Sequence, residues 1–329
     1  MKSEQFKNVL VIHFGQLGDI VLALPALAAI RAHFSDAKLT VMSGKSTAEV
    51  VELASVAHQQ IIVDRVELRD GNQARSIVKI GAILRDIRRR KFDLVIDLHS
   101  LPETNILSFL SGATGRLLAR RGNRSIDSLS NFPGRQPDFD RSKHLTDQYL
   151  GVLEPLGIAG SGRSPRITPT SEDVAFVREH FGGIENRIGL FPGAGHPSRC
   201  WPLANFRELG SFLDTPVVFL GPEEEHLRAG IQSTFSPGTS IVDGLSLRKF
   251  IAAVSLVEAF VTNDTGPLHL AAAVGTRVIL LLDERAPTTY LPLSDNVTIV
   301  SEAEITEIPV ARVHAALDDI RAEAQARTQ

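Results

Sequence analysis

Three stretches of the 329-residue chain join glycines to charged or hydroxyl side chains where an apolar run stops, and these could do chemistry. In the first, Gly15-Gln16-Leu17-Gly18-Asp19 follows the apolar run Val9–Phe14 and precedes a segment with helical spacing. Glycines there let the backbone turn and let a ligand approach without Cβ interference. The pattern is not a dinucleotide fingerprint, because the third glycine is missing and a carboxylate at a helix N-terminus repels a pyrophosphate. Two roles are open to Asp19: a helix N-cap, or a catalytic carboxylate in the crevice at the carboxyl ends of parallel strands.

The second stretch runs from Gly189 through Pro192-Gly193-Ala194-Gly195 to Ser198-Arg199-Cys200-Trp201-Pro202, a strand leading into a Gly-rich loop and a helix that Pro202 can begin. Amides at Gly193, Ala194 and Gly195, with the fork of Arg199, suit a diphosphate. A tight turn with a solvent-facing Arg is the alternative. Trp201 is read as core rather than as a stacking platform. In the third stretch, Thr262-Asn263-Asp264-Thr265-Gly266 precedes a helix whose first turn carries Pro267 and His269. Hydroxyl, amides and imidazole then face one point at a positive helix end, as phosphate oxygens require. His269 alone could equally be a half-buried histidine; beside the second loop, the phosphate reading prevails.

Strands alternating with helices must position these loops. Val9–Phe14, Lys38–Met42, Gln60–Val63 and Phe92–Leu98 read as strands, and Asp19–Phe34, Ala48–Ala54, Ser76–Arg90 and Glu103–Leu110 as helices. The second half repeats the scheme, with strands at Arg187–Phe191, Pro216–Leu220, Ala259–Thr262 and Arg277–Leu282, and helices at Leu203–Leu213, Glu223–Thr234, Leu247–Val254 and Pro267–Val274. Such alternation implies an α/β chain with parallel sheets covered on both sides. The Gly-, Ser- and Pro-rich segment Gly157–Thr170 reads as a linker. Ile308–Arg327 reads as a helix whose Val310, Val313, Leu317 and Ile320 pack on another surface.

A formal net charge of -3, with 43% apolar and 22% charged residues, fits a globular chain and not one built to coat nucleic acid or an anionic membrane as a whole. Any basic surface is local. Arg116, Arg120, Arg121 and Arg124, with Arg135, Arg141 and Lys143 nearby, form either a partner for an acceptor bearing carboxylates and phosphates or a solvated loop. Lys79, Arg85, Arg88, Arg89, Arg90 and Lys91 are read as the outer face of a helix, with attraction to a membrane surface as the second reading. Cys200 is the only cysteine, which excludes an internal disulfide and a cysteine-based zinc site and fits a reducing compartment. Met1–Lys7 is polar, the apolar run Asn8–Ile12 is too short for a signal peptide, and no stretch is long enough to span a bilayer. A cytoplasmic protein is expected.

Gly18-Asp19 with Leu24-Pro25, Pro192-Gly193-Ala194, Arg199-x-Trp201-Pro202 and Asn263–Ala273, preceded by His144–Leu150, closely resembles the lipopolysaccharide heptosyltransferases and their relatives, glycosyltransferase family 9. The ordered motifs run from about Val9 to Leu282. The resemblance implies a GT-B architecture, two Rossmann-like domains with parallel sheets facing across a cleft: an acceptor-binding domain over 1–160, a nucleotide-sugar-binding domain over 161–308, and a C-terminal helix over 309–329 that packs back on the N-terminal domain. It implies transfer of a heptose from ADP-heptose to an inner-core sugar of lipopolysaccharide, with inversion, no cofactor and no essential metal. The expected partners are the nucleotide-sugar donor and a lipopolysaccharide-core or other glycan acceptor, with peripheral contact at the cytoplasmic face of the inner membrane and no nucleic acid.

Position by position, Asp19 matches the family's catalytic base, and Gly18 lies beside it on the acceptor side with Arg120, Arg121 and Arg124. Thr265, Gly266 and His269 match the diphosphate-binding turn, Asp264 precedes them in the same loop, and Gly193, Ala194, Gly195 and Arg199 are the further expected donor contacts. Glu224, with its register among three consecutive glutamates left open, and Leu245 are the expected ribose and base contacts. Arg199 stands where relatives often carry Lys, and His13 where an Arg is common. Other readings are a related GT-B transferase with a different nucleotide sugar or acceptor, and a non-catalytic nucleotide-sugar-binding protein; a mere binder has no need of Asp19.

Overall fold

The computed structural model describes residues 6–70, 73–132, 137–158 and 162–328. Most of the polar lead Met1–Lys7, Arg135 of the basic run and residues 159–161 of the expected linker lie outside them. The chain divides into two units, Met1–Pro165 and Arg166–Gln329, so the boundary falls inside the expected linker and just past residue 160.

In the first unit, Val9-Leu10-Val11-Ile12 is apolar on every residue, so it must be covered on both faces, and all four side chains are fully buried. This is β1 (Asn8–His13), followed by α1 (Leu17–His33), β2 (Lys38–Gly44), α2 (Ala48–Leu53), β3 (Gln59–Val63), α3 (Arg65–Asp70), α4 (Gln73–Arg90), β4 (Leu94–Asp97), α5 (Pro102–Leu110), β5 (Gly115–Leu118) and α6 (Leu145–Gly151). The sheet order is β3-β2-β1-β4-β5, all parallel. The order reverses between β1 and β4, whose ends lie level through Ile12 and Asp97. Connections leaving in opposite directions open a crevice there.

Pro25 sits inside α1 and has no N–H for the helix ladder. The adjacent turn is tied to α6 instead, where the Thr146 hydroxyl donates to the Leu22 carbonyl at 3.0 Å. Leu24-Pro25 and the His144–Leu150 segment are therefore two halves of one packing contact.

The second unit comprises α7 (Ser171–His180), β6 (Ile188–Phe191), α8 (Leu203–Ser211), β7 (Val217–Phe219), α9 (Arg228–Thr234), β8 (Ser240–Val242), α10 (Leu247–Val254), β9 (Ala259–Asn263), α11 (Gly266–Val274), β10 (Arg277–Asp283), β11 (Val297–Glu302) and α12 (Val310–Thr328). Its parallel sheet runs β11-β10-β9-β6-β7-β8, the doubly wound order, with the reversal between β6 and β9. Core clusters of buried side chains cover both faces of the sheet.

The C-terminal helix corrects the sequence reading. Val310, Val313, Leu317 and Ile320 of α12 join the second unit's own core, with Trp201, Phe206 and Ile279. The helix packs on α8, β10 and β11, and Arg321 binds the Glu258 carboxylate at 3.1 Å. The apolar stripe assigned to the N-terminal domain is buried within the second unit instead.

Candidate functional site

At the first reversal, Gly15 follows β1 and Asp19 lies in the first turn of α1. Asp19 is not the N-cap itself; that is Gln16, whose amide donates to Asp19 Oδ2 at 2.9 Å, so the carboxylate reaches back from the third helical position. Burial raises the Asp19 pKa above the usual carboxylate value, against the Gln16 amide and then the Arg121 charge, which lower it. The carboxylate thus closes the helix end while burial keeps its pKa raised. Gly15 is required for a reason the sequence did not disclose. A Cβ at Gly15 would overlap the Asp19 side chain and meet His13 Cε1 at 2.7 Å, so the glycine makes room for the carboxylate and not for a ligand. Gly18 is half-buried inside α1.

His13 is fully buried, with burial first and then His99 and Arg121 holding its pKa well below the ordinary imidazole value. Its Nε2 lies 3.1 Å from Tyr149 Oη, and Gly15 N–H points to its Nδ1 at 3.4 Å. That neutral ring packs the loop in place. His99, two residues past the end of β4, stands edge-on to it at 5.5 Å and is pushed down to about 4, by burial before the charges of Arg121 and Arg65. Beneath lies Asp97, fully buried and pushed up to about 6 by desolvation, although Ser100 N donates to it at 2.6 Å and Asn105 Nδ2 at 3.0 Å.

Of the basic run, Arg121 reaches this site. It donates to the His99 carbonyl at 2.8 Å and stacks 4.8 Å from the Phe139 ring. Arg120 is engaged elsewhere, paired to Asp138 at 2.6 Å and to Asp127 at 3.6 Å, and Arg116 holds the Leu129 and Ala113 carbonyls. Arg124, Arg141 and Lys143 are exposed. His99, Asp97 and Tyr149 were missed by sequence reasoning; a signal was available in Asp97 and His99 closing an otherwise apolar strand.

At the second reversal, Asn263 organises the loops. Fully buried at the end of β9, it donates from Nδ2 to the carbonyls of Pro192 and Gly193 at 3.1 and 3.0 Å, and its Oδ1 accepts the Trp201 amide at 3.0 Å. Trp201 is core, its indole N–H donating to the Ile308 carbonyl at 3.0 Å. Between them, a single 3-10 turn, Pro197–Arg199, leaves the Arg199 side chain exposed at 59% and 3.5 Å from the Asp264 carboxylate, itself raised in pKa by burial and pulled back by Arg199.

Thr265 caps α11 and Gly266 begins it, with Pro267 in the first turn, so the helix presents its positive end beside Asp264. His269, one turn in, is 6% exposed. Among three consecutive glutamates, Glu224 alone is buried. Its carboxylate takes the Gly221 amide at 3.1 Å and lies where a side chain at Gly193 would be, while burial lifts its pKa. A Cβ at Gly195 would meet nothing within 4 Å, so that residue and Ala194 border open space. Leu245 packs partly against the core beside α10. An exposed guanidinium, a helix N-terminus and a buried carboxylate therefore lie around the loops of this reversal. Among the described residues, no three His, Cys, Asp or Glu side chains cluster to hold a metal ion.

Comparison with known proteins agrees with this geometry. The family model for glycosyltransferase family 9 (heptosyltransferase) matches residues 80–317. Lipopolysaccharide heptosyltransferase 3 of Escherichia coli is 23% identical over 315 residues, covering 89% of this chain and 88% of its own. The crystal structure of a glycosyl transferase family 9 protein from Veillonella parvula superposes with a TM-score of 0.86 at 21% identity, covering 98% of this chain and 99% of that one. The E. coli heptosyltransferase WaaC with ADP gives 0.79 at 17% identity, covering 95% and 99%. The shared fold is GT-B.

Proposed function

Because the chain belongs to glycosyltransferase family 9, and is a glycosyltransferase of the heptosyltransferase type, we propose that it transfers a heptose from ADP-heptose to an inner-core sugar of lipopolysaccharide with inversion, in the cytoplasm. The observation that carries this reading is the grouping of Arg199, the α11 N-terminus and buried Glu224 around the Gly193 loop. Three requirements of a nucleoside diphosphate are met there: charge and amides for the phosphates, and a carboxylate acceptor for ribose hydroxyls.

The acceptor hydroxyl oxygen attacks the anomeric carbon from the face opposite the diphosphate. As the new C–O bond forms, the bond to the phosphate oxygen breaks and ADP departs with its electron pair. Asp19 takes the hydroxyl proton; burial raises its pKa, which makes it a stronger base than a solvated Asp. Arg199 and the amides at Thr265 and Gly266 stabilise the charge that builds on the leaving diphosphate, so the scheme needs no resident metal. His269 positions the first turn of α11, Gly193 to Gly195 line the phosphates, and Leu245 borders the base. Asp264 holds Arg199 until the diphosphate takes it over. On the acceptor side, Arg121 and exposed Arg124 meet anionic groups of the glycan, and Arg120 holds their loop through Asp138. The relative solved with ADP supports the choice of nucleotide.

Titration calorimetry with ADP, UDP and GDP tests the donor: ADP is expected to bind tightest, and tighter binding of UDP overturns the assignment. In transfer assays, Asp19→Ala should lose roughly 10²–10⁴ in rate while keeping its ADP affinity. Transfer at the wild-type rate would remove Asp19 as the base.

A further inference from the structure

Asp97 ends β4 fully buried, and the groups that hold its carboxylate are neutral amides, the Ser100 N–H at 2.6 Å and the Asn105 side chain at 3.0 Å. A buried carboxylate held by neutral groups costs stability, and a well-packed apolar side chain would suit the sheet better. The turn that it closes is strained as well. Ser100 is fully buried and left-handed at φ 50°, a conformation that a residue with a Cβ seldom adopts. Two such costs at one turn, level with the end of β1, point to a function rather than to the fold.

Both arms of the turn lead to Arg121. On one side, Asp97 sets the peptides that follow it, and the His99 carbonyl there accepts the Arg121 guanidinium at 2.8 Å. On the other, buried Asn105 of α5 donates from Nδ2 to Asp97 Oδ2 and to Ser100 Oγ, both at 3.0 Å, and its Oδ1 accepts the Ile126 amide at 2.8 Å. An ionised carboxylate can only accept, so it draws the NH₂ of Asn105 and turns the oxygen toward residue 126. Between these two anchors the loop closes on itself, because the Arg121 amide donates to Ser125 Oγ at 2.8 Å.

We propose that Asp97 and Asn105 are positioning residues for Arg121, which together hold the 121–126 loop so that its guanidinium meets an anionic group of the acceptor. Neither residue touches the glycan; both act through the loop. The proposal rests on the acceptor role assigned to Arg121 above.

Asp97→Asn keeps the shape of the side chain but sets an NH₂ group against the NH₂ of Asn105. Hydrogen–deuterium exchange of the amides from Arg121 to Ile126 should quicken at least about tenfold. The acceptor KM should rise about tenfold or more, while ADP affinity stays at the wild-type value. The reciprocal pair, Asp97→Asn with Asn105→Asp, again sets an acceptor opposite each donor at residue 97, Ser100 and Ile126, and should restore both readouts. In an Arg121→Met background, Asp97→Asn should add less than about twofold to KM, whereas a residue that only supports the fold would add its full effect. The proposal is overturned if loop exchange is unchanged in Asp97→Asn, if the reciprocal pair behaves like the single variant, or if the two losses add. Failure of the acceptor role itself reads differently: Arg121→Met then keeps the wild-type KM while Asp97→Asn still quickens exchange, which overturns the proposal through its premise alone.

Discussion

Replacing Gly193 by alanine tests the donor loop at the point where its two halves interlock. A Cβ there would come within 2.5 Å of Glu224 Cγ, and nearer still to the carboxyl group. Glu224 is buried and its Oε2 accepts the Gly221 amide at 3.1 Å, so the side chain gives way only by losing that bond. The methyl group must therefore strain the core, at about 1–3 kcal/mol, and break the bond from the Gly221 amide to the carboxylate, at about 1.5–3 kcal/mol. The sum, about 2.5–6 kcal/mol, corresponds to a melting temperature lowered by roughly 5–24 °C for a unit of this size. If the loop yields instead of the fold, about 3 kcal/mol appears as two decades in the ADP dissociation constant. Calorimetric melting and ADP titration read both outcomes. The decisive control is Glu224→Ala, which removes the atoms that the new methyl group meets. Gly193→Ala should then cost almost nothing in the Glu224→Ala background, a coupling of about 3 kcal/mol. Additive losses, or a single variant that melts and binds like the wild type, would refute the steric argument.

Two pH-dependent predictions follow from the first unit's carboxylates. Asp19 must be ionised to accept a proton, so kcat/KM should fall as pH drops through its raised pKa. Arg121→Met removes a charge that holds that pKa down, and should move the acid limb to higher pH; a limb that stays put refutes the pairing. Asp97 titrates at about 6 in the folded protein, against 3.8 for the ordinary carboxyl group, so folding favours its protonated form. Its contribution is complete below about pH 4 and lost as pH rises through about 6, a change of up to about 3 kcal/mol. Urea unfolding from pH 4 to 7.5 should show that decline, and Asp97→Asn should flatten it; an undiminished slope would acquit Asp97.

The central strands were legible because β1, β6, β9 and β10 are apolar on both faces, a pattern that nothing but a covered parallel strand satisfies. The outer strands β5, β8 and β11 were not. Gly115-Arg116-Leu117-Leu118 and Ser240-Ile241-Val242 are too short to show a period, and β11 is mostly part-exposed. Helix α6 is only seven residues long, and its helical form depends on its place against α1. The site was legible as loops and not as contacts. Asp19, Arg199 and Glu224 lie in segments that sequence alone marks, but the roles of His13, Asn263 and Gly15 depend on partners far along the chain: 136 residues to Tyr149 for His13, and 71 to Pro192 for Asn263. The destination of α12 was illegible for a related reason, because an amphipathic stripe declares that it will be buried without saying against what.

Both sheets place their reversal beside the first strand of the unit, between β1 and β4 and between β6 and β9. A crevice opens at such a reversal whatever the loops contain, so the fold decides where a ligand can sit before any side chain decides which ligand. The two crevices were then furnished in opposite senses. The first holds a desolvated carboxylate with two neutral histidines and one Arg; the second holds a helix N-terminus and a mobile-length Arg paired to a half-buried Asp. Exchanging the furniture would fail on electrostatic grounds alone. Asp19 in the first turn of α1 gives that helix end a negative charge where a diphosphate would have to approach, whereas α11 has no acidic residue in its first turn. In the proposed transfer, the distinction between an acceptor side that removes a proton and a donor side that receives a leaving anion is therefore written in the residues that begin two helices.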